Sequence, residues 1–239
     1  MAELPELPED WDRCLAVVAH PDDIEYGAAA AIARWTAQGK TVTYLLATRG
    51  EAGIDSVPPA EAGPMREEEQ RAAAREVGVD EVLFLDHPDG VVEYGPALRR
   101  DIVRVIRRLR PEVIVTGPFA LRMTGGLVNQ ADHRAVGLAA LDAATDAGNR
   151  WIFPEAGEPW DGVRYVCVSG SADETHGVDV SGEPLERGIA ALEAHAAYLE
   201  GLADMPPARP ILTQWLGQAG AAIGAEAAVL FEVFDRKPR

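Results

Sequence analysis

Hydrophobic positions along this chain alternate between two periods. Largely apolar runs fall at residues 13–19, 41–47, 81–85 and 112–116, and again at 163–168, 177–180 and 228–234. Such runs, rich in Val, Leu and Ile, read as strands buried on both faces, the habit of a parallel sheet. Between them lie stretches with apolar residues at helical spacing: 25–38 ending at Gly39, about 65–77, 96–109 stopping before Pro111, 132 to about 148, 183–201 and 210–223. Strand and helix alternate, which predicts βαβ units and an α/β fold of Rossmann-like kind, a single domain with a mostly parallel sheet and helices on both faces. Residues 1–12 read as an N-terminal extension of a domain spanning 1–239. The segment 48–64, with Pro58-Pro59 and Pro64, and the Gly-containing segment 117–130 are expected as long loops. Met205-Pro206-Pro207 is expected to break the chain between the last two helices. Arg99, Arg100, Arg104, Arg107 and Arg108 spread around one helix and are expected as a solvated face.

Composition narrows the picture. A hydrophobic content of 47% fits a globular domain. The formal net charge of −17 argues against nucleic acid as a partner and against docking on anionic membranes. No apolar run approaches a membrane span, and the acidic, Pro-broken start Met-Ala-Glu-Leu-Pro is not a secretory leader. Cys14 and Cys167 stand alone within strands, as buried thiols rather than a disulfide framework. The cytoplasm is the expected location. A homo-oligomer is left open.

The chemistry concentrates where the first apolar run ends: Ala19-His20-Pro21-Asp22-Asp23-Ile24-Glu25-Tyr26-Gly27. A strand's carboxyl end leading into a helix is where open α/β sheets build their active sites. A strand followed by an acid-rich first helical turn explains the acids alone; it does not explain the histidine. A turn at Pro21 aims His20 and Asp23 at one divalent metal and leaves Asp22 free beside them. A second histidine comes from His133, which shares a helical face with Val136, Gly137, Ala140 and Leu141 and follows the loop Thr124–Gln130. No Gly-x-Gly-x-x-Gly follows the first strand, so a dinucleotide cradle is missing. Ser169-Gly170-Ser171 lacks the frame of a nucleophile elbow. His87-Pro88-Asp89 repeats the first motif without a further ligand, so His87 reads as a loop residue near the pocket.

These stretches, with Ala131-Asp132-His133-Arg134-Ala135-Val136-Gly137, Thr48-Arg49-Gly50-Glu51-Ala52-Gly53, Arg66-Glu67-Glu68-Glu69 and Asp86-His87-Pro88-Asp89-Gly90, resemble the PIG-L / LmbE-like family of metal-dependent N-acetylglucosaminyl deacetylases over residues 13 to 200. The resemblance implies Zn2+ held by His20, Asp23 and His133, with Asp22 as general base on a metal-activated water. It also implies Glu51, Arg66 and Asp89 in a sugar pocket, and a small-molecule glycoside as substrate. Asp132 is expected to orient a ligand from behind, and His195 to lie near the pocket rim. One position departs from the pattern. Gln130 stands where the family often carries a histidine that protonates the leaving amine; a carboxamide donates a hydrogen bond but supplies no proton near neutral pH. Asp22 then serves as both base and acid, or His176 or His195 takes over proton delivery. Two other readings share these residues: an amidase acting on a larger thiol-sugar conjugate, and a non-catalytic sugar- or metal-binding homologue. The sugar's acceptor is not legible.

Overall fold

A computed structural model describes residues 3–202 and 206–236; Met205, at the expected break before the last helix, lies outside them. Seven strands form one sheet: β1 (Arg13–Val18), β2 (Thr41–Leu46), β3 (Glu81–Phe84), β4 (Val113–Thr116), β5 (Tyr165–Ser169), β6 (His176–Asp179) and β7 (Ala228–Asp235). Their order is β3-β2-β1-β4-β5-β7-β6. β1 to β5 run parallel, and β7 lies antiparallel between β5 and β6. The helices are α1 (Asp23–Gly27), α2 (Ala29–Ala37), α3 (Pro59–Glu76), α4 (Pro96–Leu109), α5 (Ala131–Asp146), α6 (Glu183–Glu193), α7 (Ala196–Gly201) and α8 (Ala208–Gly220).

β1 and β2 are buried at every position after the first, as the apolar runs predict. Successive side chains enter opposite layers. Cys14, Ala16 and Val18 pack with α2 residues Ile32 and Trp35, with Tyr44 and with Phe231. Leu15 and Val17 pack with Ile102 and Ile106 of α4 and with Ala139, Ala140 and Ala143 of α5. The expected α/β architecture with helices on both faces is present. Among the described residues no helix is long and apolar enough to cross a membrane.

The sheet positions the site. Strand order reverses between β1 and β4, so their carboxyl-end loops leave in opposite directions and open a crevice. α5 comes close to the β4 loop because position 137 is glycine: a Cβ there would lie 2.6 Å from the Gly117 carbonyl oxygen.

Four expectations change. The helix expected over 25–38 is two, α1 and α2, broken at Ala28. α3 begins at Pro59, since a proline at the first helical position has no N–H to lose, so the helix takes in Pro64 and the last part of the expected loop. The helix expected over 183–201 breaks at Ala194–His195, where His195 leaves helical geometry (φ −82°, ψ 52°). Arg107 is no solvated residue: it is 4% exposed and donates to the carbonyls of Asp146, Ala147, Asn149, Ile152, Phe153 and Gly157. It thereby carries the aromatic loop after α5. Arg107→Met is expected to lower unfolding free energy by at least about 2 kcal/mol, because buried carbonyls lose a charged donor. An unchanged urea midpoint would show that water replaces the guanidinium there.

Candidate metal and catalytic site

The site begins with the turn after β1. The Asp23 carboxylate folds back, and its Oδ2 accepts the N–H groups of Ala19 and His20 at 3.0 and 2.9 Å. That closes the His20–Asp23 turn and leaves Oδ1 facing out, 3.0 Å from His133 Nε2. His20 Nδ1 lies 3.7 Å from Asp23 Oδ2. The two imidazole centroids are 5.1 Å apart. Donor atoms of His20, Asp23 and His133 all fall within 4.8 Å of one another.

The far side of each imidazole is held. His20 Nε2 lies 3.3 Å from Asp132 Oδ2 and 3.0 Å from Asp89 Oδ1. His133 Nδ1 lies 3.1 Å from Asn129 Oδ1, and the Asn129 amide donates in turn to the carbonyls of Pro118 and Ala120. Partners of this kind fix ring orientation and leave the opposite nitrogen for a metal. Asp132 is itself pinned, accepting the N–H groups of Gly90 and Val92 at 2.7 and 3.1 Å. His20, Asp89 and Asp132 form a second group of donors within the same distance. That group offers one imidazole nitrogen, His20 Nε2, between two carboxylates. The first group brings together His20 Nδ1, Asp23 and His133 Nε2, two imidazoles and a carboxylate with room for a fourth position, as in catalytic zinc sites.

Electrostatics agree. Asp22, Asp23, Asp89 and Asp132 gather around two imidazoles and the Arg66 guanidinium. Burial alone would lower the His20 pKa; hydrogen bonds to Asp132, Asp23 and Asp89 overcome that and push it up to about 12. His133 is raised against burial by Asp23. Burial opposes ionisation of Asp23, but the two histidines hold its carboxyl well below the usual range. A field that draws protons so strongly also draws a divalent cation, and binding one releases those protons.

Asp22 lies beside this set, 5% exposed. Its backbone is left-handed at φ 87°, one of three such non-glycine residues among those described. Burial pushes its carboxyl up to about 6; Arg66 opposes this and Asp23 reinforces it. The Arg66 Nη2 atom lies 3.3 Å from Asp22 Oδ2, and the guanidinium stacks 4.1 Å from the Tyr198 ring centroid. Arg66 is 2% exposed and donates to the Gly50 and Pro21 carbonyls. A Cβ at Gly50 or Gly53 would collide with that guanidinium, which explains both glycines of the Gly50–Gly53 turn. Arg66 thus lies buried beneath the site on the inner face of α3, not exposed in a pocket wall. Glu51 and Asp89 do meet: Glu51 Oε1 accepts Asp89 N–H at 3.0 Å, and Asp89 Oδ1 lies 3.0 Å from His20 Nε2.

The remaining candidates separate. Gln130 is exposed at the N-cap of α5, with no side-chain capping bond. His195 is fully buried, its Nε2 3.5 Å from Glu25 Oε2. His176 begins β6, the edge strand; its register places it level with Ser169 at the carboxyl end of β5, and β4, β5 and β7 lie between it and β1. That lateral separation sets it apart from the His20, Asp23 and His133 group. His87 pairs with Asp101 at 3.3 Å. Asn129, Gln70 and Tyr198 were not singled out by sequence; Asn129, four residues before His133, carried the one usable signal.

A family model described as PIG-L: GlcNAc-PI de-N-acetylase matches residues 15–144. The chain is 33% identical over 141 residues to a diacetylchitobiose deacetylase of Thermococcus kodakarensis, covering 58% of this chain and 51% of that one. It is 32% identical over 235 residues to a 1D-myo-inositol 2-acetamido-2-deoxy-alpha-D-glucopyranoside deacetylase of Geodermatophilus obscurus, covering 83% and 73%. The chain spans 51–60% of the length of the first curated relatives it matches. Its fold matches N,N'-diacetylchitobiose deacetylase from Pyrococcus horikoshii at a TM-score of 0.84, with 20% identity and coverage of 95% of this chain and 85% of that one.

Proposed function

The chain belongs to the PIG-L family, and from that premise we propose that it is a zinc-dependent hydrolase removing the N-acetyl group from an N-acetylglucosamine-type sugar on a small molecule. One observation carries the reading: two imidazoles and a carboxylate turn donor atoms toward one point, with a buried, unusually basic carboxylate beside them. A bound divalent metal supplies a Lewis acid that acidifies water and polarises the amide carbonyl. His20, Asp23 and His133 would hold it. Asp22 takes the proton from the attacking water, and its pKa raised toward neutrality suits that task better than an ordinary aspartate's. It then gives the proton to the departing amine, because Gln130 has none to give. Arg66 keeps the Asp22 carboxylate turned to the cleft. Glu51 and Asp89 form the wall against which sugar hydroxyls lie. Two buried free thiols, Cys14 and Cys167, favour a reducing compartment, and the cytoplasm is the location we assign.

The test is a metal titration with N,N'-diacetylchitobiose and an N-acetylglucosaminyl inositol as substrates. Release of acetate with stoichiometric free amine is expected. Release only of a larger acyl fragment from a conjugate would identify an amidase, and tight sugar binding without hydrolysis would identify a binding protein.

Gln130 is assigned as a neutral donor to the developing oxyanion. Gln130→Ala is expected to lower kcat on the order of 10²-fold at unchanged metal content, the usual effect of losing one oxyanion donor. A variant as fast as the parent would make Gln130 a bystander.

A further inference from the structure

Asp22 adopts a backbone conformation that its residue type rarely takes, and something must hold it there. At φ 87° and ψ −24° it lies outside the regions open to ordinary side chains at little cost. Its N–H finds one acceptor: Gln70 Oε1 at 3.0 Å. Gln70 is fully buried, on the inner face of α3. Its amide has two ends of opposite character, and the wrong end toward Asp22 would set donor against donor. The orientation is fixed by Glu25, 2% exposed, whose Oε1 accepts Gln70 Nε2–H at 2.9 Å. A carboxylate only accepts, so it selects the NH2 end and leaves the carbonyl for Asp22. Residue 25 follows Asp22 by three positions on α1, so the acid that orients the clamp is carried by the same turn that the clamp holds.

We propose that Gln70 is a positioning residue for the reaction assigned above: it clamps the left-handed Asp22 backbone, with Glu25 setting the direction of its amide. The inference rests on the deacetylase reading for its kinetic consequences and on the Asp22–Gln70–Glu25 geometry alone for its structural ones. The metal ligands lie outside the relay. Asp23 closes its own turn through Ala19 and His20, and His133 is held by Asn129. Metal content should therefore survive loss of the clamp, while the aim of the Asp22 carboxylate should not. Sub-ångström misplacement of a reacting group changes rates steeply, by about 10²-fold for 1 Å.

The experiment compares Gln70→Met and Glu25→Gln with the parent full-length protein by elemental analysis, amide hydrogen exchange of the peptide spanning residues 19–27, and steady-state kinetics on the acetylated sugar. Gln70→Met fills a similar volume without an acceptor. It is expected to retain about one metal per chain, to exchange that peptide at least tenfold faster, and to lose on the order of 10²-fold in kcat with KM changed less than about threefold. Glu25→Gln replaces the acceptor-only partner by an amide that can present either end to Gln70, so the direction of the clamp is no longer fixed, and exchange and kcat are expected to move in the same sense as in Gln70→Met by about three- to tenfold. If Gln70→Met does not fold, Gln70→Ala takes its place under the same criteria. The proposal is overturned by unchanged exchange and kcat in the Gln70 variant, by loss of metal along with activity, by a change in KM alone, or by a Glu25→Gln variant indistinguishable from the parent in both exchange and kcat. If the parent hydrolyses no acetylated sugar, the deacetylase reading fails, and the exchange and metal measurements still decide the clamp.

Discussion

Asp22→Asn is expected to lower kcat by about 10²- to 10⁴-fold while the protein keeps its metal, the range in which a positioned general base contributes. Asparagine matches the shape and retains an oxygen near Arg66, but takes no proton from water at neutral pH. The metal set does not include Asp22: the donor atoms belong to His20, Asp23 and His133. Elemental analysis should therefore show parental occupancy, which separates loss of the base from loss of the ligand sphere. The substitution has a structural side too. It removes the anionic partner 3.3 Å from a guanidinium that is almost fully buried. Arg66 retains hydrogen bonds to the Gly50 and Pro21 carbonyls, so a lower melting temperature without unfolding at assay temperature is expected. KM should change little, since a proton acceptor for water is used only in the transition state. An Asp22→Asn enzyme turning over at the parental rate with metal bound would reduce Asp22 to a structural acid and move the base elsewhere.

Much of this fold is legible in the chain because its strands are buried on both faces. The largely apolar runs that become β1, β2, β4 and β5 have no other comfortable location than the middle of a parallel sheet. Breaks within helical stretches are harder to read. Nothing local marks Ala28 or Ala194 as an interruption, since alanine is a strong helix former. The breaks come from tertiary packing: a Cβ at Gly27 would lie 2.7 Å from Ser169 Oγ, and α7 turns away so that Tyr198 meets Arg66. Arg107 shows a similar limit. Five arginines spread around α4 look alike in sequence, and only the carbonyls that surround one of them set it apart.

The site divides along the same line. Motif residues such as His20, Asp23 and His133 are readable because their chemistry is rare at a strand end and a helix start, and the structure gathers them. What lies behind them is less readable. Asp132 is expected as an orienting acid beside His133, but Asn129 and Gln70 act through bonds to residues 4 and 48 positions away, respectively. Arg66 illustrates how a motif misleads: at the start of the expected helix, it reads as a sugar contact by its resemblance alone. The helix begins earlier, at Pro59, and Arg66 lies buried within it under Gly50 with Asp22 as its partner.

His133→Ala should abolish both metal binding and hydrolysis, the largest effect expected here. Two protein donors remain, His20 and Asp23, and nothing among the described residues stands ready to replace the lost imidazole. Removing the Lewis acid forfeits several kcal/mol of barrier lowering, about 10³-fold or more in rate. The fold should persist, because His133 contributes only its contacts with Asn129 and Asp23 at the start of α5, whose Ala-rich face is anchored further along at Ala139, Ala140 and Ala143. Zinc should raise the melting temperature of the parent, which binds it in the folded state, and leave that of His133→Ala unmoved. Asn129→Ala gives the graded counterpart. It keeps every ligand and removes only the partner of His133 Nδ1, so metal affinity should fall by about 10- to 100-fold and excess zinc should restore activity. Excess zinc should not rescue His133→Ala. Full occupancy in that variant would mean that the metal resides in the neighbouring group of His20, Asp89 and Asp132, and the reaction would have to be rebuilt around it.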